Sequence, residues 1–298
     1  MRTATIDHRL GRKGLPTDAA WRRVWDECLR LVPPERLGAA IGQAKGRIDI
    51  AQWTYGNRAG VAWSGGKDSV VIHHLAGTCG ITNGVYVAPD PELEYSSFRA
   101  YLDEQTPAGV RTIYNGLSID WLRRHPQYLF PDRFRKGDPR TRAGIHAWNA
   151  FKWRGQRQFF REEKLDFLIL GRRTIDGNVV GRAGINRARD GFVAVNPIFD
   201  WPHEVVVAYM RTYDLPLAPI YSKPGGYRTG PRAWAMATLE QVLAWEPEIY
   251  ERHRDWIDAA LNATPLAQNT HNAHNSSGSP DSAHCAHSAH RSSNRGAR

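Results

Sequence analysis

The sequence predicts an α/β fold in which a doubly wound, mostly parallel sheet of about five strands is flanked by helices. Two observations support this prediction. Short apolar runs alternate along the chain with longer segments whose apolar residues recur every three or four positions. The chain has 298 residues and is 41% apolar, which is enough for one large core or two small ones. Because strands that alternate with helices pair in parallel, helices are expected on both faces of the sheet.

Two helices are predicted before the first strand, in an N-terminal segment of residues 1–57. Between residues 18 and 31, apolar side chains recur at helical spacing after Thr17, which is a suitable capping residue. Two prolines then end this helix, and a second helix is predicted from Glu35 to Trp53. This segment is therefore expected to be helical throughout.

The sheet domain is predicted for residues 58–261. The segment 117–142 is rich in Pro, Arg and Gly and is predicted to be an excursion from the alternation of strands and helices. The strands are expected at 60–63, 84–88, 110–114, 166–170 and 192–195, and the helices at 67–77, 96–105, 148–164, 202–213 and 238–258.

The C-terminal residues 262–298 differ from the rest in composition, because Ser, Asn, Ala and His dominate and apolar residues nearly disappear. Such a segment cannot bury a core and is expected to be a disordered tail. Its residues His284, Cys285, His287 and His290 could bind a soft metal, although an unliganded polar tail is the simpler interpretation.

Residues 61–69 carry the strongest functional signal. A short apolar run ends there in two glycines, and a helix is predicted to follow. Glycines let a backbone approach its ligand, and the unpaired N–H groups at a helix start favour phosphate. Lys67 adds a positive charge, and Ser64 or Ser69 can cap the helix and donate to an oxygen. We expect the phosphates of a nucleotide to bind to Ser64, Gly65, Gly66, Lys67, Asp68 and Ser69.

The spacing of this loop separates it from two other phosphate loops. The Walker A pattern needs an earlier glycine and a Ser or Thr after the lysine, whereas Asp68 follows Lys67 here. The dinucleotide pattern Gly-x-Gly-x-x-Gly is absent as well. The segment Ser64–Ser69 resembles the PP-loop of the N-type ATP pyrophosphatases, which cleave ATP between the α and β phosphates. A glycine-rich turn that caps a helix without a ligand is the alternative interpretation.

The second strand is predicted to end near three carboxylates, Asp90, Glu92 and Glu94. Carboxylates beside a polyphosphate usually hold Mg²⁺, which bridges phosphate oxygens and keeps most of its waters. We expect Asp90 and Glu92 to hold Mg²⁺, and Asp90 could instead accept a hydrogen bond from a ribose. The alternative is that Glu92 and Glu94 are solvated residues in the first turn of a helix, and we favour it for Glu94.

The fourth strand is predicted to end in two consecutive arginines, Arg172 and Arg173. In doubly wound sheets, ligands bind at the carboxyl ends of the strands. Arginines there can hold phosphates and stabilise the charge on a leaving pyrophosphate. We therefore expect Lys67, Asp90, Arg172 and Arg173 to be catalytic, although surface arginines in a loop would give the same pattern.

The positive charge is concentrated in the middle of the chain. The net charge is +10, and residues 111–189 hold 18 Lys or Arg against seven Asp or Glu. The same segment contains several aromatic residues, among them Trp121, Trp148 and Trp153. Basic residues interleaved with aromatic ones can bind nucleic acid, or they can line a pocket for the phosphates of a nucleotide. A solvated basic face is the alternative, so a nucleic-acid partner is left open.

The composition disfavours several kinds of site and location. There is no apolar run of about 18 residues, so no membrane span is expected. The N-terminus lacks the apolar segment of a signal peptide, which favours a cytoplasmic protein. Since Cys28, Cys79 and Cys285 are far apart, neither a zinc site nor an iron–sulfur cluster built within one chain is expected. The sequence leaves a homo-oligomer open.

Several blocks of residues occur in a familiar order, namely Ser64–Ser69, Asp90 with Glu94, Gly171–Arg173, Asn196–Trp201, Leu215-Pro216 and Gly226-Tyr227. Together they resemble the phosphoadenosine phosphosulfate (PAPS) reductase family, within the adenine nucleotide α-hydrolase-like group. The resemblance covers roughly residues 36–234. It implies a Rossmann-like fold of about five parallel strands with an adenine nucleotide, ATP or PAPS, in the cleft.

One departure from that family concerns cysteine. The reductases resemble one another in a C-terminal cysteine that attacks the sulfur of the nucleotide, and many hold a cluster through paired cysteines. Neither 147–152 nor 231–234 contains a cysteine here. We therefore predict an enzyme that splits ATP into AMP and pyrophosphate and adenylates an acceptor, with tRNA or DNA as candidates. The alternatives are a PAPS or adenylylsulfate reductase that uses Cys285 or an external thiol, and a nucleotide-binding regulator without turnover.

Overall fold

A central sheet organises the computed structural model, which describes residues 17–131, 138–228 and 233–263. Within these residues the sheet has six strands, β1 Ala59–Trp63, β2 Gly84–Ala88, β3 Val110–Tyr114, β4 Phe167–Ile169, β5 Ile185–Arg187 and β6 Val193–Val195. They lie in the order β3-β2-β1-β4-β6-β5. All neighbours pair in parallel except β5, which forms an antiparallel edge with β6.

Helices cover both faces of this sheet. In the described residues they are α1 Asp18–Leu31, α2 Pro34–Tyr55, α3 Lys67–Gly77, α4 Ser96–Gln105, α5 Ile119–Arg124, α6 Pro139–Glu162, α7 His203–Thr212, α8 Leu239–Trp245 and α9 Pro247–Ala263. On one face α3 packs against β1, α2 and α7 pack against α3, and α1 packs against α7. On the other face α6 packs against β2 and β3. The predicted doubly wound α/β fold is confirmed.

Alternate residues of the strands build two separate cores. Val61, Tyr86 and Ile169 face the larger core, which contains the buried side chains of α1, α2, α3 and α7. Their chain neighbours Ala62 and Leu168 face the smaller core, where they pack with Phe159 of α6. This alternation is the period of two that pleated strands impose on side chains. It means that consecutive residues at a strand end are directed to opposite faces of the sheet.

Three parts of the chain differ from the sequence prediction. The short strand β5 was not predicted, because three residues give too little pattern to recognise. The supposed excursion 117–142 contains α5 and the start of α6, which begins at Pro139 with Asp138 as its cap. The helix predicted for 238–258 is two helices, since Glu246 precedes a proline and has φ −148° and ψ 75°, outside the helical region.

Two further observations concern membrane helices and the C-terminal residues. No helix in the described ranges is long and apolar enough to cross a bilayer. Of the predicted tail 262–298, only residues 262 and 263 lie within the described residues, where they form the last turn of α9. The remainder, including Cys285, lies outside the described residues.

Candidate functional site

The loop between β1 and α3 follows the carboxyl end of the central strand. Gly65 has φ +67°, in the left-handed region that favours glycine. A Cβ atom at Gly65 would lie 3.0 Å from the ring of Phe98 and 3.2 Å from Leu102. The loop therefore needs glycine both for its conformation and for its fit against α4.

The start of α3 presents a group of backbone N–H donors. The Lys67 amide donates to the hydroxyl of Tyr221 over 3.2 Å, and the Ser69 and Val70 amides donate to the carbonyl of Gly66. No partner is recorded among the described residues for the amides of Gly65, Gly66 and Asp68. Unpaired amides at a helix N-terminus form a site for an anion.

The two loop serines bond to each other. The Ser69 hydroxyl donates to the carbonyl of Gly66 over 2.8 Å and accepts from the Ser64 amide over 3.0 Å. The Ser64 hydroxyl lies 2.9 Å from the Ser69 hydroxyl and donates to it. The N-cap of α3 is Gly66 and has no side-chain bond, so the predicted capping by either serine is wrong. The serines instead close the loop on itself.

Behind the loop lies a chain of charged side chains. The Lys67 ammonium contacts a carboxylate oxygen of Asp68 at 2.7 Å, and the other oxygen of Asp68 is 3.0 Å from Nε of Arg173. Burial, followed by repulsion from Arg173, lowers the pKa of Lys67. Burial raises the pKa of Asp68, but attraction to Arg173 and Lys67 outweighs it and lowers this pKa to about 2. The Asp68 carboxylate is therefore held charged next to the loop, in contact with the Lys67 amine.

Arg173 is fully buried and extends this chain away from the loop. Its guanidinium lies 3.0 Å from the Asp176 carboxylate, donates to the Trp201 carbonyl over 3.0 Å, and is 3.2 Å from Nδ1 of His203. Two carboxylates thus compensate Arg173 within the protein. The sequence predicted a direct role for it on phosphate, whereas the structure directs its guanidinium at Asp68 and Asp176.

Arg172 has the opposite environment. It is half-buried, and its guanidinium lies over the ring of Trp153 at 5.8 Å from the ring centroid. Burial lowers the pKa of Arg172, and no carboxylate partner is recorded for it in the described residues. Arg172 thus places a cation at the carboxyl end of β4, and its contact with phosphate stays a prediction.

The loop and these arginines meet where the strand order reverses. The chain proceeds from β1 to β2 and β3 on one side and returns to β4 on the other, so β1 and β4 flank the switch point. A Cβ atom at Gly171 would lie 2.9 Å from the backbone oxygen of Asp68. This glycine thus permits the end of β4 to approach the start of α3, and the predicted Ser64–Ser69 and Arg172–Arg173 segments come together.

The family model of the phosphoadenosine phosphosulfate reductase domain matches residues 58–230, which is more than half of the chain. The chain belongs to the PAPS reductase domain family. The family expected from the sequence blocks is thereby confirmed.

Two solved structures are similar to this chain. PAPS reductase from Candida auris, in a phosphate complex, has 13% identity and a TM-score of 0.43, covering 63% of this chain and 91% of that chain. The U34-tRNA thiolase NcsA from Methanococcus maripaludis, with its 4Fe-4S cluster, has 14% identity and a TM-score of 0.39, covering 79% of this chain and 84% of that chain. A comparison with curated proteins gave no significant match.

The three carboxylates after β2 of this PAPS reductase domain differ in how far they are buried. Asp90 accepts from the amide of Glu92 over 3.1 Å and is partly exposed, and the Glu92 side chain is exposed. Glu94 is buried, accepts from the Tyr86 hydroxyl, and lies 3.4 Å from a guanidinium nitrogen of Arg99. The prediction of a solvated Glu94 is therefore wrong, because tertiary packing supplies it with partners.

The carboxylates Asp90 and Glu92 could supply only part of the coordination of Mg²⁺. Within the described residues no three Asp, Glu, His or Cys side chains form a group that could hold a metal ion. Mg²⁺ on a nucleotide needs just one or two carboxylates, because phosphates and waters complete its coordination. One oxygen of Asp90 is engaged by the Glu92 amide, so the other oxygen and the Glu92 side chain fit such a role.

Two cysteines, Cys28 and Cys79, lie within the described residues. Cys28 is fully buried in α1, its thiol donates to the carbonyl of Trp25 over 3.2 Å, and burial raises its pKa. Cys79 follows the C-terminal end of α3, about 18 Å from Lys67 along the helix axis at about 1.5 Å per residue. Neither thiol is placed to attack a ligand on the loop.

Three residues of the site were not assigned from sequence: Asp176, His203 and Tyr221. Tyr221 reaches the Lys67 amide from 154 residues away in the chain. His203 lies on α7 and meets Arg173 because α7 packs beside α3, whereas Asp176 is three residues from Arg173, at the end of the short turn that follows it. The spacing of Arg173 and Asp176 was a local signal for their ion pair, but nothing in the sequence indicated the contacts of His203 and Tyr221.

Proposed function

We propose that this protein binds ATP at the loop between β1 and α3, cleaves it between the α and β phosphates and transfers AMP to an acceptor oxygen. This proposal rests on the amides of Gly65, Gly66 and Asp68 at the start of α3, for which no partner is recorded within the described residues. In the reaction the acceptor oxygen bonds to the α phosphorus, and the bond from that phosphorus to the bridging oxygen breaks. Pyrophosphate leaves with that oxygen, and the acceptor proton passes to water.

Positioning and charge compensation supply the catalysis in this proposal. The three amides fix the phosphates, and Lys67 places a positive charge beside them. Arg172 faces the same edge without a carboxylate partner recorded in the described residues, so it can take up charge on the departing pyrophosphate. Mg²⁺ held by Asp90 and Glu92 would neutralise phosphate oxygens when bound.

The placement of the cysteines favours this reaction over PAPS reduction. A reductase of the expected kind needs a thiol that reaches the bound sulfonucleotide, and Cys28 and Cys79 are buried or distant. Reduction would therefore need Cys285, outside the described residues, or a thiol from another molecule. This alternative keeps the nucleotide site and changes only the chemistry performed there.

The test is to incubate the protein with Mg²⁺ and α-labelled ATP, with and without RNA or DNA, and to measure AMP, pyrophosphate and labelled acceptor. We expect Lys67→Ala to lower pyrophosphate release by about 100-fold or more, since an electrostatic group at the reacting phosphates is lost. Lys45→Ala, on α2, is the matched control and should act like the parent. Absence of AMP under every condition would contradict the proposal. Sulfite release from PAPS that is lost in Cys285→Ser would establish the reductase alternative.

A further inference from the structure

The basic residues of segment 111–189 divide into compensated and uncompensated groups. Arg111 contacts Glu162 and Glu163, and Arg140 contacts Asp138. In contrast, no carboxylate partner is recorded within the described residues for Arg142, Arg154 and Arg172. Two of these three lie on α6, which also carries Arg157 and Arg161.

One face of α6 combines this charge with an exposed aromatic ring. We call it the α6 stripe and define it by five residues at helical spacing, Arg142, His146, Trp153, Arg157 and Arg161. Trp153, at the centre of the α6 stripe, is 40% exposed. Arg157 contacts Asp190 at 2.7 Å, in an exposed pair that salt weakens. The stripe is about 28 Å long at about 1.5 Å per residue.

The stripe reaches the edge of the sheet that carries the candidate site. The chain leaves β3 at the carboxyl edge and enters β4 at the amino edge, so α6 runs antiparallel to the strands. A Cβ atom at Gly155 would lie 2.5 Å from Val87, near the carboxyl end of β2. Trp153 lies two residues nearer that edge, and the Arg172 guanidinium covers its ring.

We propose that the α6 stripe binds single-stranded nucleic acid and leads it to the site at the carboxyl ends of β1 and β4. The Trp153 indole stacks on an unpaired base through the ring face opposite Arg172, and the arginines contact successive phosphates. A duplex keeps its bases stacked on each other, so it cannot use the indole in this way. That the bound strand is also the acceptor of AMP rests on the proposed function, whereas its binding does not.

Anisotropy of a short labelled single-stranded oligonucleotide, measured without ATP, tests the binding. Trp153→Ala should weaken binding about tenfold, the loss of one stacked base. The matched control is Trp53→Ala, which removes a tryptophan that is 89% exposed on α2, and it should leave affinity unchanged. Arg142→Gln and Arg161→Gln should each reduce the slope of log affinity against log salt by about 0.7.

Several results would overturn the proposal: no binding at about 50 mM salt, equal losses in both tryptophan variants, or tighter binding of duplex that Trp153→Ala leaves unchanged. Melting temperatures of the variants exclude unfolding as the cause of a loss. Lys67→Ala separates this proposal from the proposed function, because it should keep oligonucleotide affinity while losing pyrophosphate release. Oligonucleotide binding without pyrophosphate release would support the α6 stripe proposal and contradict the proposed function. Pyrophosphate release without oligonucleotide binding would refute only the α6 stripe proposal.

Discussion

The two sides of the candidate site compensate their charges in different ways. On the loop side, Lys67, Asp68, Arg173 and Asp176 form a chain in which each charged group contacts one of opposite sign. On the α6 side, Arg172 contacts the Trp153 ring, and no carboxylate is recorded for it in the described residues. The first arrangement satisfies its charges within the protein, and we propose that the second leaves the Arg172 charge available for a ligand.

This difference arises between two adjacent residues. Arg173 has φ −123° and ψ 145°, so the chain is extended there and consecutive side chains are directed to opposite faces. Arg173 is thereby directed towards α3 and α7, and Arg172 towards α6. Two adjacent arginines of one motif thus have different environments, and we propose that Arg173 positions the loop whereas Arg172 faces the ligand.

The largest expected effect tests this division through stability. Arg173→Ala leaves Asp68 and Asp176 without their shared buried cation, which should lower the free energy of unfolding by about 3–5 kcal/mol. Arg172→Ala breaks no ion pair recorded in the described part of the chain and should change the free energy of unfolding by less than about 1 kcal/mol. Guanidinium unfolding of both variants measures the difference. Arg173→Lys keeps the charge but not the forked geometry and should lie between them.

Nucleotide turnover of the same variants tests the other half of this division. Arg172→Ala should fold like the parent and lose nucleotide turnover, while Arg173→Lys should lose stability first. If the two alanine variants were equally stable, Arg173 would not hold the loop.

The next prediction concerns the loss of stability at low pH. The pKa of Asp68 is lowered from 3.8 to about 2 in the folded protein, so its contribution to stability is present above about pH 4. That contribution is lost as the pH falls from about 4 through about 2, and it amounts to about 2 kcal/mol at 1.36 kcal/mol per pKa unit. Unfolding free energies between these pH values measure it. The Asp68→Asn variant should be less stable at neutral pH and should lack this acid dependence, and an unchanged slope in that variant would contradict the assignment.

The sequence was sufficient for elements with clear local signals. The bounds of β2, β3, α3 and α4 agree with the prediction, because glycines, prolines and apolar periodicity mark them. The loop Ser64–Ser69 was likewise recognised from its residues and confirmed as the connection between β1 and α3. Local chemistry thus predicted where a ligand could bind.

Local chemistry did not predict which charges the protein compensates internally. Glu94 meets Tyr86 and Arg99 only in the folded chain, and Arg173 meets His203 from 30 residues away. Strict alternation in the extended segment could have separated Arg172 from Arg173, but it could not have named the partner on each face. Such pairs depend on helix packing, and a single sequence carries no direct record of it.

The smallest expected effect concerns the backbone of the loop. Gly65→Ala places a side chain at φ +67°, which costs about 1–2 kcal/mol, and its Cβ meets Phe98 and Leu102. Gly46→Ala is the matched control, because Gly46 lies inside α2 and a Cβ there meets nothing within 4 Å. It should stabilise the protein by up to about 1 kcal/mol. Thermal unfolding of both variants therefore should give shifts of opposite sign. Pyrophosphate release should fall only in Gly65→Ala, since the strain displaces the loop amides that we propose bind phosphate, whereas Gly46 lies on α2 away from the loop. Equal activity in both variants would show that the loop conformation does not matter for turnover.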